Sequence, residues 1–129
     1  MSKGKGIQQI QKGNDDLQKP NLVILHNGEF SLVIIFKNGK KIIPLKDILY
    51  LECDTYITTV HTINNKETSS ARLLKEYEIA LSEYNFVRIN HNIIINKEHI
   101  CETFFSAQKN TVSVKNVVLQ VSRRKKNRL

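Results

Sequence analysis

The stretch Phe86–Ile100, FVRINHNIIINKEHI, constrains the fold more than any other. It sets three polar, hydrogen-bonding residues, Asn90, His91 and Asn92, between the apolar runs Phe86–Ile89 and Ile93–Ile95. A chain that buries both runs must bend between them and bring the triplet to the surface. Side chains held outward on a rigid base are how a recognition loop is built.

The rest of the chain fits short strands around that loop. Phe30–Phe36 reads as a strand that is apolar on both faces, and Asn38-Gly39 after it is a strong hairpin signal. Lys41–Leu45 returns as a second strand, and Pro44, lacking an N–H, puts it at a sheet edge or at its own end. Ile48–Glu52 and Tyr56–Ile63 follow as strands, with a turn at Asn64-Asn65-Lys66. One helix is expected over Ala71–Glu83. Leu73, Leu74, Tyr77, Ala80 and Leu81 fall on one face at its period, Thr68, Ser69 and Ser70 offer N-caps, and Asn85 is a stop. Beyond the triplet come a turn at Asn96–His99 and strands at Ile100–Phe105, Thr111–Val114 and Val117–Val121. The cationic tail Ser122–Leu129 holds Arg123, Arg124, Lys125, Lys126 and Arg128, and Ser122 can cap a short helix there. Many short strands with a single helix give a mainly β class, a β-rich α+β fold of antiparallel sheets, made of meanders and hairpins.

Residues 1–29 read as a flexible N-terminal arm or linker, and 30–129 as one domain. Gly13-Asn14-Asp15 interrupts the stripe that Ile7, Ile10 and Leu17 would otherwise make. The length suits one domain with a real core, and the net charge of +8 favours an anionic partner. No glycine follows Gly39, which removes the glycine-rich phosphate cradles and the nucleophile elbow. No constellation joins the carboxylates to a nucleophile, so an enzyme is not expected. His26, His61 and His99 share no metal-ligand spacing with each other or with Cys53 and Cys101, so neither a metal nor any other cofactor is expected. The cysteines read as reduced thiols. The N-terminus lacks a signal-peptide apolar core, and the apolar runs are too short to span a bilayer. A cytoplasmic protein with no membrane partner is expected.

Four features in order resemble the LytTR DNA-binding domain, the output module of many bacterial response regulators. They are ILYLE at Ile48–Glu52, the helix segment, FVRINHNIIINKEHI, and a strand ending in VSRR. The likeness covers roughly Phe30 to Leu129. It implies an elongated set of small sheets that places loops, not a recognition helix, into successive major grooves of double-stranded DNA. By that likeness the first loop is Asp54–Tyr56, the second is the triplet, and the third carries Arg123 and Arg124. It also implies two protomers on repeated sites, hence a homodimer on DNA, and a role in transcription regulation within a two-component system. A receiver domain needs on the order of 100 residues or more, for which there is no room. The chain is therefore expected to be a stand-alone regulator or an excised output domain, with Met1 favouring a natural start.

The family's usual triplet is His-Arg-Ser. Here Asn90 stands at the His position and His91 at the reading Arg, which keeps a donor but loses the fork that pairs with guanine. His91 and Asn92 can meet adenine or a phosphate. Asn90 is expected to brace the loop and Arg88 to be structural. Arg124 is the expected guanine reader. Arg123, Lys125, Lys126 and, in the polar turn Gln108-Lys109-Asn110, Lys109 are expected on phosphates, with Tyr56 stacking or touching the sugar-phosphate. The alternative is a protein–protein adaptor that keeps the fold without reading DNA. RNA binding ranks below it, because few aromatics look free to stack on bases.

Overall fold

The structure, a computed structural model, describes residues 21–129. Three antiparallel sheets follow one another along the chain. Strands β1 (Val23–His26), β2 (Glu29–Phe36) and β3 (Gly39–Pro44) form the first, with β2 in the middle. The central sheet has five strands: β4 (Ile48–Asp54), β5 (Ile57–Thr62), β6 (Glu67–Ser70), β7 (Phe86–Arg88) and β8 (Ile93–Asn96), in the order β6-β5-β4-β8-β7. Strands β9 (Ile100–Phe105), β10 (Asn110–Val114) and β11 (Val117–Gln120) form the last as a meander. The α-helix among the described residues, α1, spans Leu74–Leu81.

The central sheet is buried on both faces, which explains its unbroken apolar runs. On one side Leu51, Val60, Phe86 and Ile94 meet Leu32, Ile34 and Ile43 of the first sheet and Leu74, Tyr77 and Leu81 of α1. On the other, Leu49, Tyr50, Ile93 and Ile95 meet Val112, Val114 and Leu119 of the last sheet. Ile93, Ile94 and Ile95 alternate between these two cores, so no position in the run is free to be polar. Leu49 and Tyr50 share a face because the register with β5 shifts between Ile48 and Tyr50.

Asn96, at the end of β8, is buried and fully used. Its amide donates to the carbonyls of Leu45 (3.2 Å) and Ile48 (2.9 Å) and accepts from the Glu98 amide (3.0 Å). It does make the expected turn, and it also ties that turn to the corner before β4.

Three local expectations differ. The boundary between residues 29 and 30 does not coincide with a break in structure. Leu22 and Val23 lie in the core, and β1 pairs with β2 through an Asn27-Gly28 turn with φ of 52° and 79°. These left-handed values are those of the two-residue turn that matches strand twist. The remainder of the expected arm, including Ile7, Ile10 and Leu17, lies outside the described residues. Second, Thr68, Ser69 and Ser70 do not cap the helix. They form edge strand β6 on β5, and α1 begins after Leu73 with no side-chain cap. Two of the hydroxyls have other partners: Ser69 Oγ meets Thr59 Oγ1 on β5 (2.9 Å) and Ser70 Oγ meets Tyr77 Oη on α1 (2.7 Å). Ser122 likewise caps no helix. The tail closes a turn, with the Lys125 amide donating to the Ser122 carbonyl at 2.9 Å, before a 3-10 turn at Lys126–Arg128.

Candidate nucleic-acid interface

Backbone pairing draws three bends to one end of the molecule. Strand β4 pairs with both β5 and β8, with Glu52 opposite Thr59 on one side and Ile93 on the other. The ladder continues past β8, because the Cys53 amide donates to the Asn92 carbonyl at 2.8 Å. The β4–β5 tip at Thr55-Tyr56 therefore stands beside the triplet. On its other flank, the Ser122 amide donates to the Ile89 carbonyl (2.8 Å), fixing the exit of β11 against the same loop. The Val121 amide donates to the Asn110 carbonyl (2.9 Å), which brings the turn bearing Lys109 to this end of the last sheet.

The result is an open cleft of about 880 Å³. Glu52–Asp54, Asn90–Ile93 and Gln120–Ser122 line it. Of the residues singled out in the sequence, His91 and Asn92 line the cleft and are exposed. Tyr56, 75% exposed, stands on the adjacent hairpin tip rather than in the lining. Arg123 and Arg124 continue from the rim at Ser122 and are exposed, with Lys125 half-buried. None of the three forms an ion pair with another described residue. Lys109 is exposed at its turn, outside the lining.

Asn90 braces the loop as its polarity suggested. Its amide nitrogen donates to the Gln120 carbonyl (2.7 Å), and its amide oxygen accepts from the Asn92 backbone N–H (2.7 Å). One side chain thus closes the loop on itself and bolts it to β11.

The opposite wall is acidic, which the sequence alone did not indicate. His61 lies between Glu52 (Nε2 to Oε1, 3.2 Å) and Glu67 (Nδ1 to Oε2, 3.5 Å), its ring stacked on Tyr50 at 4.3 Å. Burial, then the nearby Glu52 and Glu67 carboxylates, push the Tyr50 hydroxyl above its usual range, so it stays neutral. Glu52, Glu67 and Asp54 make this side of the cleft unfavourable for a phosphate, while the cationic tail favours one on the other side. Glu52, His61 and Glu67 lie on β4, β5 and β6, and only strand register brings them together. Among the described residues no group of three or more His, Cys, Asp or Glu converges to hold a metal ion, and no helix is long and apolar enough to cross a membrane.

Residues 37–129 match the family model described as the LytTr DNA-binding domain. The fold is similar to a solved structure described as the LytTr DNA-binding domain of a putative methyl-accepting/DNA response regulator from Bacillus cereus. The TM-score is 0.64 at 21% identity, covering 76% of this chain and 91% of that one. No curated protein matches the sequence.

Proposed function

The chain belongs to the LytTR DNA-binding domain family, and from that premise we propose that it is a sequence-selective regulator that reads double-stranded DNA through the cleft and its rim. Family membership carries DNA binding and transcription regulation in general. The finer reading rests on one observation: the triplet loop, the end of β4 and the exit of β11 share a cleft, the β4–β5 tip stands beside it, and from its rim continues a cationic run whose Arg123, Arg124 and Lys125 make no ion pair with another described residue. Loops of this kind enter successive major grooves. Two protomers then occupy repeated sites, as a homodimer assembled on the DNA.

The roles divide by chemistry. Lysines and arginines neutralise phosphates and supply most of the affinity, while side chains at base edges supply selectivity. Arg124 presents a fork to a guanine edge. His91 and Asn92 present single donors and acceptors to adenine or to phosphate. Arg123, Lys125 and Lys109 meet phosphates, and Tyr56 meets the sugar-phosphate. The acidic wall keeps the backbone off the Glu52 side, which helps to fix the register.

Two substitutions separate these roles. Arg124→Ala is expected to cost about 1–3 kcal/mol on the preferred site and to relax one base position. Lys109→Ala is expected to weaken all sequences alike and to reduce the log–log salt slope by roughly one phosphate. Anisotropy titrations at several salt concentrations, on a selected and a scrambled duplex, measure both. Wild-type behaviour in both variants would remove these residues from the interface. An adaptor that binds protein is the second reading, favoured only by the carboxylates in the cleft. It predicts binding that barely changes between low and moderate salt.

A further inference from the structure

Arg88 lies directly beneath the triplet, and each nitrogen of its guanidinium makes a hydrogen bond. Nε donates to the Asn90 carbonyl (3.2 Å), Nη2 to the His91 carbonyl (2.6 Å), and Nη1 to Glu78 Oε1 (3.0 Å). Glu78 belongs to α1, whose other face packs into the first core through Leu74, Tyr77 and Leu81. Both side chains are largely covered, at 19% and 31% exposure, so this pair is less screened by solvent than a surface pair. Arg88 is a cation beside a nucleic-acid site, and each of its three guanidinium nitrogens already donates to a partner inside the protein.

We propose that Arg88 is a positioning residue that sets the shape of the His91–Asn92 reading loop, and that Glu78 holds Arg88 in place. The consequence for DNA rests on the function proposed above; the brace itself does not. The two carbonyls that Arg88 binds belong to consecutive loop residues, one of them His91. Without the guanidinium these carbonyls would turn toward water, and the peptide planes carrying the His91 and Asn92 side chains would turn with them. A planar fork can hold two carbonyls and a carboxylate at fixed angles, and the ammonium of lysine cannot. With Asn90 tied to Gln120, the loop is gripped from β11 on one side and from α1 on the other. A loop already shaped for its target avoids the ordering cost of binding, which is worth up to about tenfold per immobilised side chain.

The proposal makes predictions opposite to those of plain electrostatics. Glu78→Gln removes a negative charge from a chain of net charge +8, so charge alone predicts tighter binding to any duplex. Arg88→Lys conserves charge, so charge alone predicts no change. The brace predicts that both variants lose discrimination. The selected-over-scrambled affinity ratio should fall roughly three- to tenfold, while scrambled-duplex affinity holds in Arg88→Lys and holds or rises in Glu78→Gln.

The experiment measures both affinities at fixed salt for the wild type, Glu78→Gln and Arg88→Lys. Backbone amide spectra of the free proteins accompany them. The Asn90, His91 and Asn92 resonances should move in both variants, while those of β9–β11 away from Gln120 stay in place. Glu78→Gln keeps the side-chain shape on a partly exposed helix face, so it provides a folded variant if Arg88→Lys is unstable. Unchanged loop resonances, or an unchanged discrimination ratio, would overturn the proposal. A wild type that does not discriminate between duplexes would instead overturn the DNA-reading function, and the free-protein spectra would still decide whether the brace exists.

Discussion

A chain that starts at residue 37, where the family match begins, is expected to lose cooperative folding. The cut removes β1 and β2, and β2 is the middle strand of the first sheet, leaving β3 without a partner. It also withdraws Leu22, Val23, Leu32 and Ile34 from the first core, exposing Ile43, Leu45 and Ile48. Full burial of such a side chain contributes about 1.5–3 kcal/mol. The combined loss is therefore of the order of a whole domain's stability, about 5–15 kcal/mol. Thermal unfolding followed by circular dichroism checks this. A broad transition or none is expected, and a sharp one close to that of the full chain would mean that the first sheet is an accessory rather than part of the domain.

Neutralising the rim should have the second-largest effect, on binding rather than on folding. The triple variant Arg123→Ala, Arg124→Ala, Lys125→Ala removes cations that make no ion pair with another described residue. Val121 and Leu129, which pack on the second core on either side of this run, are untouched, so the fold should persist. Each phosphate contact contributes about 0.9 to the log–log salt slope. Two or three lost contacts then weaken binding roughly 60- to 500-fold at about 0.1 M salt and lower the slope by about 1.8–2.7. Titrations across a salt series measure both numbers. A folded variant with the wild-type slope would show that the tail is a solvated charge run.

The fold was legible wherever the local signal and the tertiary demand agreed. Ile93–Ile95 could only be a strand covered on both faces, and that is where both cores meet it. The helix face Leu74, Tyr77 and Leu81 is buried at the expected period. The misses have physical causes. Asn27-Gly28 carries the same hairpin signal as Asn38-Gly39, but the polar stretch before it hides the strand that it closes. It is the one with left-handed φ at both positions. At the other hairpin Phe36 pairs with Gly39, so the two-residue turn is Lys37-Asn38. Thr68-Ser69-Ser70 has the composition of a cap, and only the hydroxyl partners on β5 and α1 make it a strand.

The candidate site was legible residue by residue but not as a surface. The triplet declares itself, because polar amides between isoleucines have nowhere to go but outward. That Asn90 reaches Gln120, thirty residues on, follows only from the placement of the last sheet against the central one. The acidic wall and the Glu78–Arg88 brace are likewise products of register and helix docking, to which a single sequence gives no local clue.

Amide chemical shifts followed while a selected duplex is added at moderate salt test the central claim most directly. The account predicts that Asp54–Tyr56, Asn90–Asn92, Lys109 and Ser122–Lys125 respond together and saturate at one ratio, with the first sheet unmoved. A response centred on the first sheet or on the exposed Phe104 and Phe105 of β9, with the triplet silent, would contradict it.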